Sequence, residues 1–191
     1  MLIRNLHNAG ELIGSFKQVA VDRTSAKRRQ FDLDEVIAEI IITMPPGMKR
    51  RTHHIKSRIP PRIRLDSYPG PLGQIIGNLI NNALLHGFEH QIDGTITISA
   101  TALLGHQVEI IIADDGCGIP DGHLKRIFDP FFTTKLGHGG SGLGLNIVYN
   151  LTTHVLGGTI RVESEQEREH GTRFILVLPF VAPEASMVEP I

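Results

Sequence analysis

The stretch "DPFFTTKLGHGGSGLGL", residues 129–145, decides the fold. Gly137, Gly139 and Gly142 fit the spacing G-x-G-x-x-G, which raises the question of a bound nucleotide. A Rossmann glycine loop leaves a strand directly, but here an aromatic, threonine-rich segment comes first. Glu163, 21 residues after Gly142, matches the ribose-binding spacing by chance. No G-x-x-x-x-G-K-[ST] occurs in the chain, so a P-loop is excluded. The run instead leads into "LNIVYN", which reads as a helix over 142–156. Glycines before that helix let main-chain N–H groups face phosphate oxygens, where the helix dipole also favours negative charge.

Outward from this point the apolar pattern alternates between helix and strand. "FDLDEVIAEIIITM" (31–44) opens with a short extended piece; Asp34 then caps a helix carrying Val36, Ile37, Ile40 and Ile41, and "PPG" stops it. "HIKSRIP" (54–60) and "RIRLDSY" (62–68) alternate as strands. A helix follows over 71–85, then an antiparallel pair at 95–103 and 107–115 turning at "LGHQ". A short helix covers 121–128, and 158–165 with 171–179 make a last hairpin. Strands pairing mostly antiparallel, with helices over one face, predict an α+β two-layer sandwich.

The beginning of the chain is of another kind. Leu2, Leu6, Ala9, Ile13, Phe16 and Ala20 recur at the 3.5-residue period of a helix packed in a bundle or coiled coil. Residues 22–30 are polar and basic and read as a linker. The expected organisation is therefore a helix and linker at 1–30, a domain at 31–180 and a disordered tail at 181–191, with Pro183 and Pro190 in it.

The bulk properties set bounds. The chain has 191 residues and a net charge of −1, but residues 1–70 carry 13 Lys and Arg against 7 Asp and Glu, while residues 71–191 carry 6 against 13. "AKRRQ" (26–30) and "KRR" (49–51) supply much of the excess, and no aromatic residues interleave them, so nucleic acid is not expected as a partner. No apolar run approaches a membrane span and no secretory pattern opens the chain; a cytoplasmic location is the expectation for this piece. The single cysteine, Cys117, excludes an internal disulfide and reads as structural or incidental.

Four segments carry chemistry. In "QIIGNLINNALLHG" (74–87), Asn78 and Asn82 are four apart and share one helix face. Their carbonyls can meet a hydrated Mg²⁺ and their NH₂ groups phosphate, although an Asn pair alone is more often a capping or packing feature. In "DDGCGIP" (114–120), Asp114 can accept from an exocyclic amine such as adenine's, while Gly116 and Gly118 permit close backbone approach; a plain strand-to-helix turn is the bland alternative. In "IFDPFFTTK" (127–135), Phe131 and Phe132 either close over a site or anchor a loop, and Lys135 is either a phosphate contact or a solvated lysine. The fourth is the glycine run, with Gly140, Gly142 and Gly144.

The order of these four, followed by "GTRF" (171–174), closely resembles the ATP-binding catalytic domain of sensor histidine kinases, whose nucleotide (Bergerat) fold is shared with DNA gyrase and mismatch-repair ATPases. "NLINNALLH" resembles the N box, "DDGCGIP" the first glycine box, "IFDPFFTTK" the F box and "GGSGLGL" the second glycine box, and the resemblance covers residues 31–180. It implies Mg·ATP as ligand, with Asn82 on the metal and Asn78 beside it near the phosphates. It places His86 near the nucleotide, Asp114 on the adenine amine, and Gly116, Gly118 and Ile119 along the pocket. Lys135, Gly140, Ser141, Gly142, Leu143 and Gly144 would surround the phosphates beneath a short lid at 131–141, and Thr172 would close the adenine side. Ser141 departs mildly from the family's usual threonine.

Hydrolysing relatives carry a glutamate one helical turn before the metal-binding asparagine, as general base for water. This chain has Asn78 there, which cannot take a proton at neutral pH, so the resemblance favours phosphoryl transfer over hydrolysis. The acceptor in such kinases is a histidine followed by an acidic residue on a dimeric helical hairpin, and none of the ten histidines here is followed by Asp or Glu. Residues 2–21 resemble the second helix of that hairpin, so the acceptor helix is expected elsewhere in a longer parent protein, which can be membrane-anchored. The implied partners are that hairpin, a response-regulator receiver domain and a possible second copy of the chain. A nucleotide sensor without chemistry and a protein serine kinase of the anti-sigma type stand as alternatives.

Overall fold

The computed structural model describes residues 27–44, 53–89, 91, 93–135, 140–165 and 171–184. The apolar seam at 2–20 lies outside these residues.

Strand β1 (Arg29–Asp32) pairs antiparallel with β3 (Arg64–Ser67) as a small separate ribbon, Phe31 opposite Leu65, both buried. Between them run helix α1 (Leu33–Thr43) and strand β2 (His53–Arg58). The expected cap, Asp34, is two residues out. The residue before α1 is Asp32, in extended conformation, and Asp34 sits inside the first turn beside Glu35, where both carboxylates favour the positive end of the helix dipole. Leu33 N–H bonds the Ile63 carbonyl, which fixes the start of α1 against the β3 side. Met44 precedes Pro45, which disfavours helical backbone, and α1 ends there.

The main sheet has five strands in the order β2-β4-β5-β7-β6, with β4 at Gly94–Leu103, β5 at Gln107–Asp114, β6 at Thr159–Glu165 and β7 at Gly171–Pro179. Only β2 with β4 is parallel. The two segments that alternate at 54–68 thus serve different sheets. Ile96 and Ile98 of β4, Val108, Ile110 and Ile112 of β5, and Phe174, Leu176 and Leu178 of β7 all point to one face and are buried. The opposite face carries Thr95, Thr97, Glu109, Arg161, Glu163 and Arg173, with ion pairs Arg161–Glu109 at 3.7 Å and Arg173–Glu163 at 3.5 Å.

Helix α2 (Pro69–Asn82) covers the apolar face. Pro69 sits in its first turn, where a missing N–H costs nothing. Leu72, Ile75, Ile76, Leu79 and Ile80 form the i, i+3, i+4, i+7, i+8 stripe that meets the sheet, and all are 2% exposed or less. Burying such side chains is worth roughly 1.5–3 kcal/mol each, which makes α2 the main anchor of the two-layer sandwich. Beyond Asn82 the helix widens into a π turn, Ala83–Gly87, closed by Phe88 N–H on the Ala83 carbonyl. Helix α4 (Gly144–Asn150) ends the same way, in a π turn over Leu151–Val155. It begins two residues later than expected because Gly142 has φ +71° and cannot be helical. Helix α3 is only Asp121–Leu124; the bonds Arg126 N–H to His123 O and Asp129 N–H to Arg126 O continue it as successive i→i+3 turns.

The first residues after Pro179 are not a loose tail. Phe180 N–H bonds the His106 carbonyl, Asp66 N–H bonds the Phe180 carbonyl, and Ala182 N–H bonds the Asp66 carbonyl. Ala182 is buried and the Tyr68 hydroxyl donates to the Pro183 carbonyl. The expected disorder is overturned for 181–184; residues 185–191 lie outside the described residues. Asp66 also receives Arg28 side-on, Nε to Oδ1 at 2.8 Å and Nη2 to Oδ2 at 2.9 Å. No helix among the described residues is long and apolar enough to cross a membrane.

Candidate functional site

Helix α2 and its π turn are the spine of the site. Asn78 and Asn82 lie on one face; the Asn78 amide donates to the Gln74 carbonyl at 2.9 Å. The start of α4 comes against it, so close that a Cβ on Gly144 would sit 3.1 Å from Asn78 Oδ1. The widened turn after Asn82 leaves three successive carbonyls to be capped from outside the helix. Leu85 O accepts from Lys135 Nζ at 2.8 Å, His86 O from Cys117 Sγ at 3.4 Å, and Gly87 O from Cys117 N–H at 2.9 Å. Cys117 therefore has a structural part, and its thiol is exposed.

Asp114 ends β5 with its side chain on the helix-covered face. It lies between Ile96 on β4 and Thr172 on β7 in register. Burial pushes its carboxyl up to about 6, against the pull of the backbone N–H groups of Gly116 and Thr172, and the Asp115 charge adds to the rise. The Gly116 N–H is 3.0 Å from Asp114 Oδ1. On the other side stands Gly87, where a Cβ would lie 3.1 Å from the same oxygen. Gly118 turns the chain with φ +75°, and Ile119 N–H then reaches Ser164 Oγ at 2.7 Å. Ser164 in turn donates to the Gly171 carbonyl and lies 3.5 Å from the buried Thr172 hydroxyl.

The third wall is the segment before the glycine run. Phe131 is exposed and holds a left-handed backbone, φ +66°. Its carbonyl carbon stands 2.5 Å from where a Cβ on Gly142 would be, so only glycine fits there. Gly140, buried, donates to the Lys135 carbonyl, and Leu143 N–H is 3.3 Å from Ser141 Oγ. Asn146 of α4 donates to the Phe128 carbonyl and ties this wall to the helix. The expected lid is described at 131–135 and 140–141 only.

Lys135 is the residue whose placement departs most from a simple phosphate contact. Besides Leu85 O, its ammonium meets Glu89 Oε1 at 2.8 Å, and its side chain is 16% exposed. His86 Nδ1 is 3.3 Å from Thr134 Oγ1, and burial first, then the Lys135 charge, lowers its pKa while Glu89 opposes. An open hollow of about 470 Å³ is lined by residues including Lys56, Thr97, Asp114, Ser164 and Arg173; it reaches the Asp114 end of the site, and the two asparagines do not border it.

The structure thus gathers the expected residues along α2: Asn78 with Gly144, His86 with Thr134, Asp114 with Gly116 and Thr172. Sequence reasoning missed Gly87, Ser164, Gly171 and Glu89. Ser164 had a signal, a small polar residue continuing the apolar phase of Ile160 and Val162. Gly171, at φ +139°, would put a Cβ 2.1 Å from the Asp114 carbonyl oxygen, which explains the glycine opening "GTRF".

The family model for histidine kinase-, DNA gyrase B- and HSP90-like ATPases matches residues 68–182. The sensor histidine kinase ZraS of Salmonella typhi is 39% identical over 119 residues, covering 62% of this chain and 24% of the relative. The chain thus spans about a quarter of the length of that relative. Among solved structures, the nucleotide-free catalytic domain of histidine kinase ThkA superposes with TM-score 0.68 at 26% identity, over 82% of this chain and 99% of that one. Full-length ShkA in complex with AMPPNP gives 0.67 at 28% identity, over 82% and 32%.

Proposed function

The chain belongs to the histidine kinase-, DNA gyrase B- and HSP90-like ATPase family, and on that premise we propose that residues 31–180 form the Mg·ATP-binding catalytic domain of a sensor histidine kinase. The observation that carries this reading is the spacing of two close approaches along α2. Gly144 comes against Asn78, and Asp114 against Gly87. Nine helical residues, at the α-helical rise of 1.5 Å and less through the π turn, put these points at most about 13 Å apart, a length on the scale of an extended nucleoside triphosphate. Asp114, ionised above its raised value of about 6, accepts the adenine amine at one end. Backbone N–H groups of 142–144 meet the phosphates at the other, at the positive end of α4.

Asn82 is half-buried and its side chain makes no hydrogen bond among the described residues, which suits an amide free to meet a metal. The donors near it are neutral, and no group of three His, Cys, Asp or Glu forms a metal site among the described residues. Mg²⁺ would therefore arrive with the phosphates, held by Asn82 and water, and offset phosphate charge. Asn78 takes no proton and its amide is engaged with Gln74, so it is no general base for water, and transfer fits the site better than hydrolysis. The γ-phosphate passes instead to a histidine on the hairpin of the parent protein, whose second helix residues 2–21 resemble. A receiver domain follows as the next partner.

Calorimetric titration with ATP, with and without Mg²⁺, tests the reading on the wild type and on Asp114→Asn. Binding that strengthens with Mg²⁺ and falls at least tenfold in the variant is expected; no binding by the wild type overturns it. One observation favours a second reading: no histidine here precedes an acidic residue, as a nucleotide sensor without chemistry would have it. Supplying the acceptor hairpin in trans with γ-labelled ATP separates the two, since only a kinase labels it.

A further inference from the structure

Glu89 lies outside all four sequence motifs, two residues past the π turn of α2, and it meets the best-buried ammonium of the site's wall. Lys135 Nζ has three donors. One goes to Leu85 O and one to Glu89 Oε1, both at 2.8 Å. Leu85 follows Asn82 by three residues, so the ammonium sits within one helical turn of the asparagine face. The Lys135 carbonyl receives Gly140 N–H, which joins this lysine to the base of the glycine turn. A cation at the last carbonyls of a helix is favoured by the dipole, so the ammonium is at rest where it stands.

We propose that Glu89 is a specificity-determining residue: it competes with the nucleotide's outer phosphates for the Lys135 ammonium. The inference rests on the reading of this site as a nucleotide pocket. A triphosphate that engages Lys135 must draw it from Glu89, and a monophosphate, whose charge ends short of the asparagine face, leaves the pair in place. Glu89 thereby sets how strongly the site separates nucleotides by the length of their phosphate chain. The pair is part-exposed, with Glu89 at 45%, so its hold is modest, and phosphate charge can overcome it.

The test is a double-mutant cycle read by calorimetry in Mg²⁺ with ATP and AMP, on the full chain. Glu89→Gln should tighten ATP roughly two- to fivefold, the size of a part-exposed ion pair, and leave AMP unchanged. Lys135→Met should weaken ATP, and adding Glu89→Gln to it should give no further gain. The same gain in both backgrounds would mean that Glu89 acts only by long-range repulsion, and the proposal falls; so it does if Glu89→Gln changes nothing. If the wild type binds no ATP, the nucleotide reading itself is overturned, a result distinct from both.

Discussion

Gly116 stands so close to Gly87 that a Cβ built on it would lie 2.6 Å from the Gly87 carbonyl oxygen. The contact is backbone on backbone, between the loop after β5 and the π turn of α2, so neither side can swing away. The two glycines do not fail alike. Gly116→Ala must push the loop off the helix and should cost about 2 kcal/mol of stability in urea denaturation. Gly87→Ala meets only the end of the Asp114 side chain, at 3.1 Å, and should cost about 1 kcal/mol or less while displacing the carboxylate. Equal losses would mean that the loop is softer than its contacts indicate.

Asp114 links the site to pH. Its carboxyl is raised from an ordinary 3.8 to about 6, chiefly by burial. The folded chain therefore holds this proton more tightly than the unfolded one, and stability falls as pH rises from about 4 to about 6. At pH 7.5 the full penalty is present. Asp114→Asn removes it and should be more stable there, by on the order of 2 kcal/mol, with the gap closing toward pH 4. Thermal melts of both proteins across pH check this; parallel curves would contradict it.

Ser164 holds two loops together, accepting from Ile119 N–H and donating to the Gly171 carbonyl. Ser164→Ala leaves both without their partner and should cost about 1–2 kcal/mol. It should also weaken ATP binding, since residues 114–120 lose their tie to β6. Unchanged urea midpoints would show that water replaces the hydroxyl.

Phe131 carries backbone strain without burial to offset it, at φ +66° and 59% exposed. Asparagine accepts left-handed backbone more readily, so Phe131→Asn should stabilise the fold by about 0.5 kcal/mol. Phe131→Val, β-branched, should destabilise it. Denaturation midpoints of the pair read the sign directly.

Much of this fold is legible in the residues. The stripe from Leu72 to Ile80 announces α2, and the alternation of Ile96, Ile98, Val108, Ile110 and Ile112 announces the sheet face it covers. Asparagine spacing and glycine positions bring out the site's outline. The π turns are faint in sequence, because each shifts the apolar phase by one residue only once, at the helix end, as in the step from Ala83 to Phe88. Pairing of β2 with β4 is equally silent, since alternation states a face and not a neighbour. Lys135 is ambiguous for another reason: a lysine fits a helix end and a phosphate equally well, and only the positions of Leu85 O and Glu89 show where it rests. The order of residues 180–184 was hidden by prolines, although Phe180 and Ala182 are the apolar signal that outweighs them.

Asp66 has a consequence for engineering. Its carboxylate takes Arg28, and its main chain takes Phe180 and Ala182, so the way into the domain and the way out meet on one short strand. A unit whose two ends lie that close can be spliced into a surface loop of a host protein without stretching either. It can equally be circularly permuted, with a short linker across the seam and new ends at the exposed turn of Leu104, Gly105 and His106.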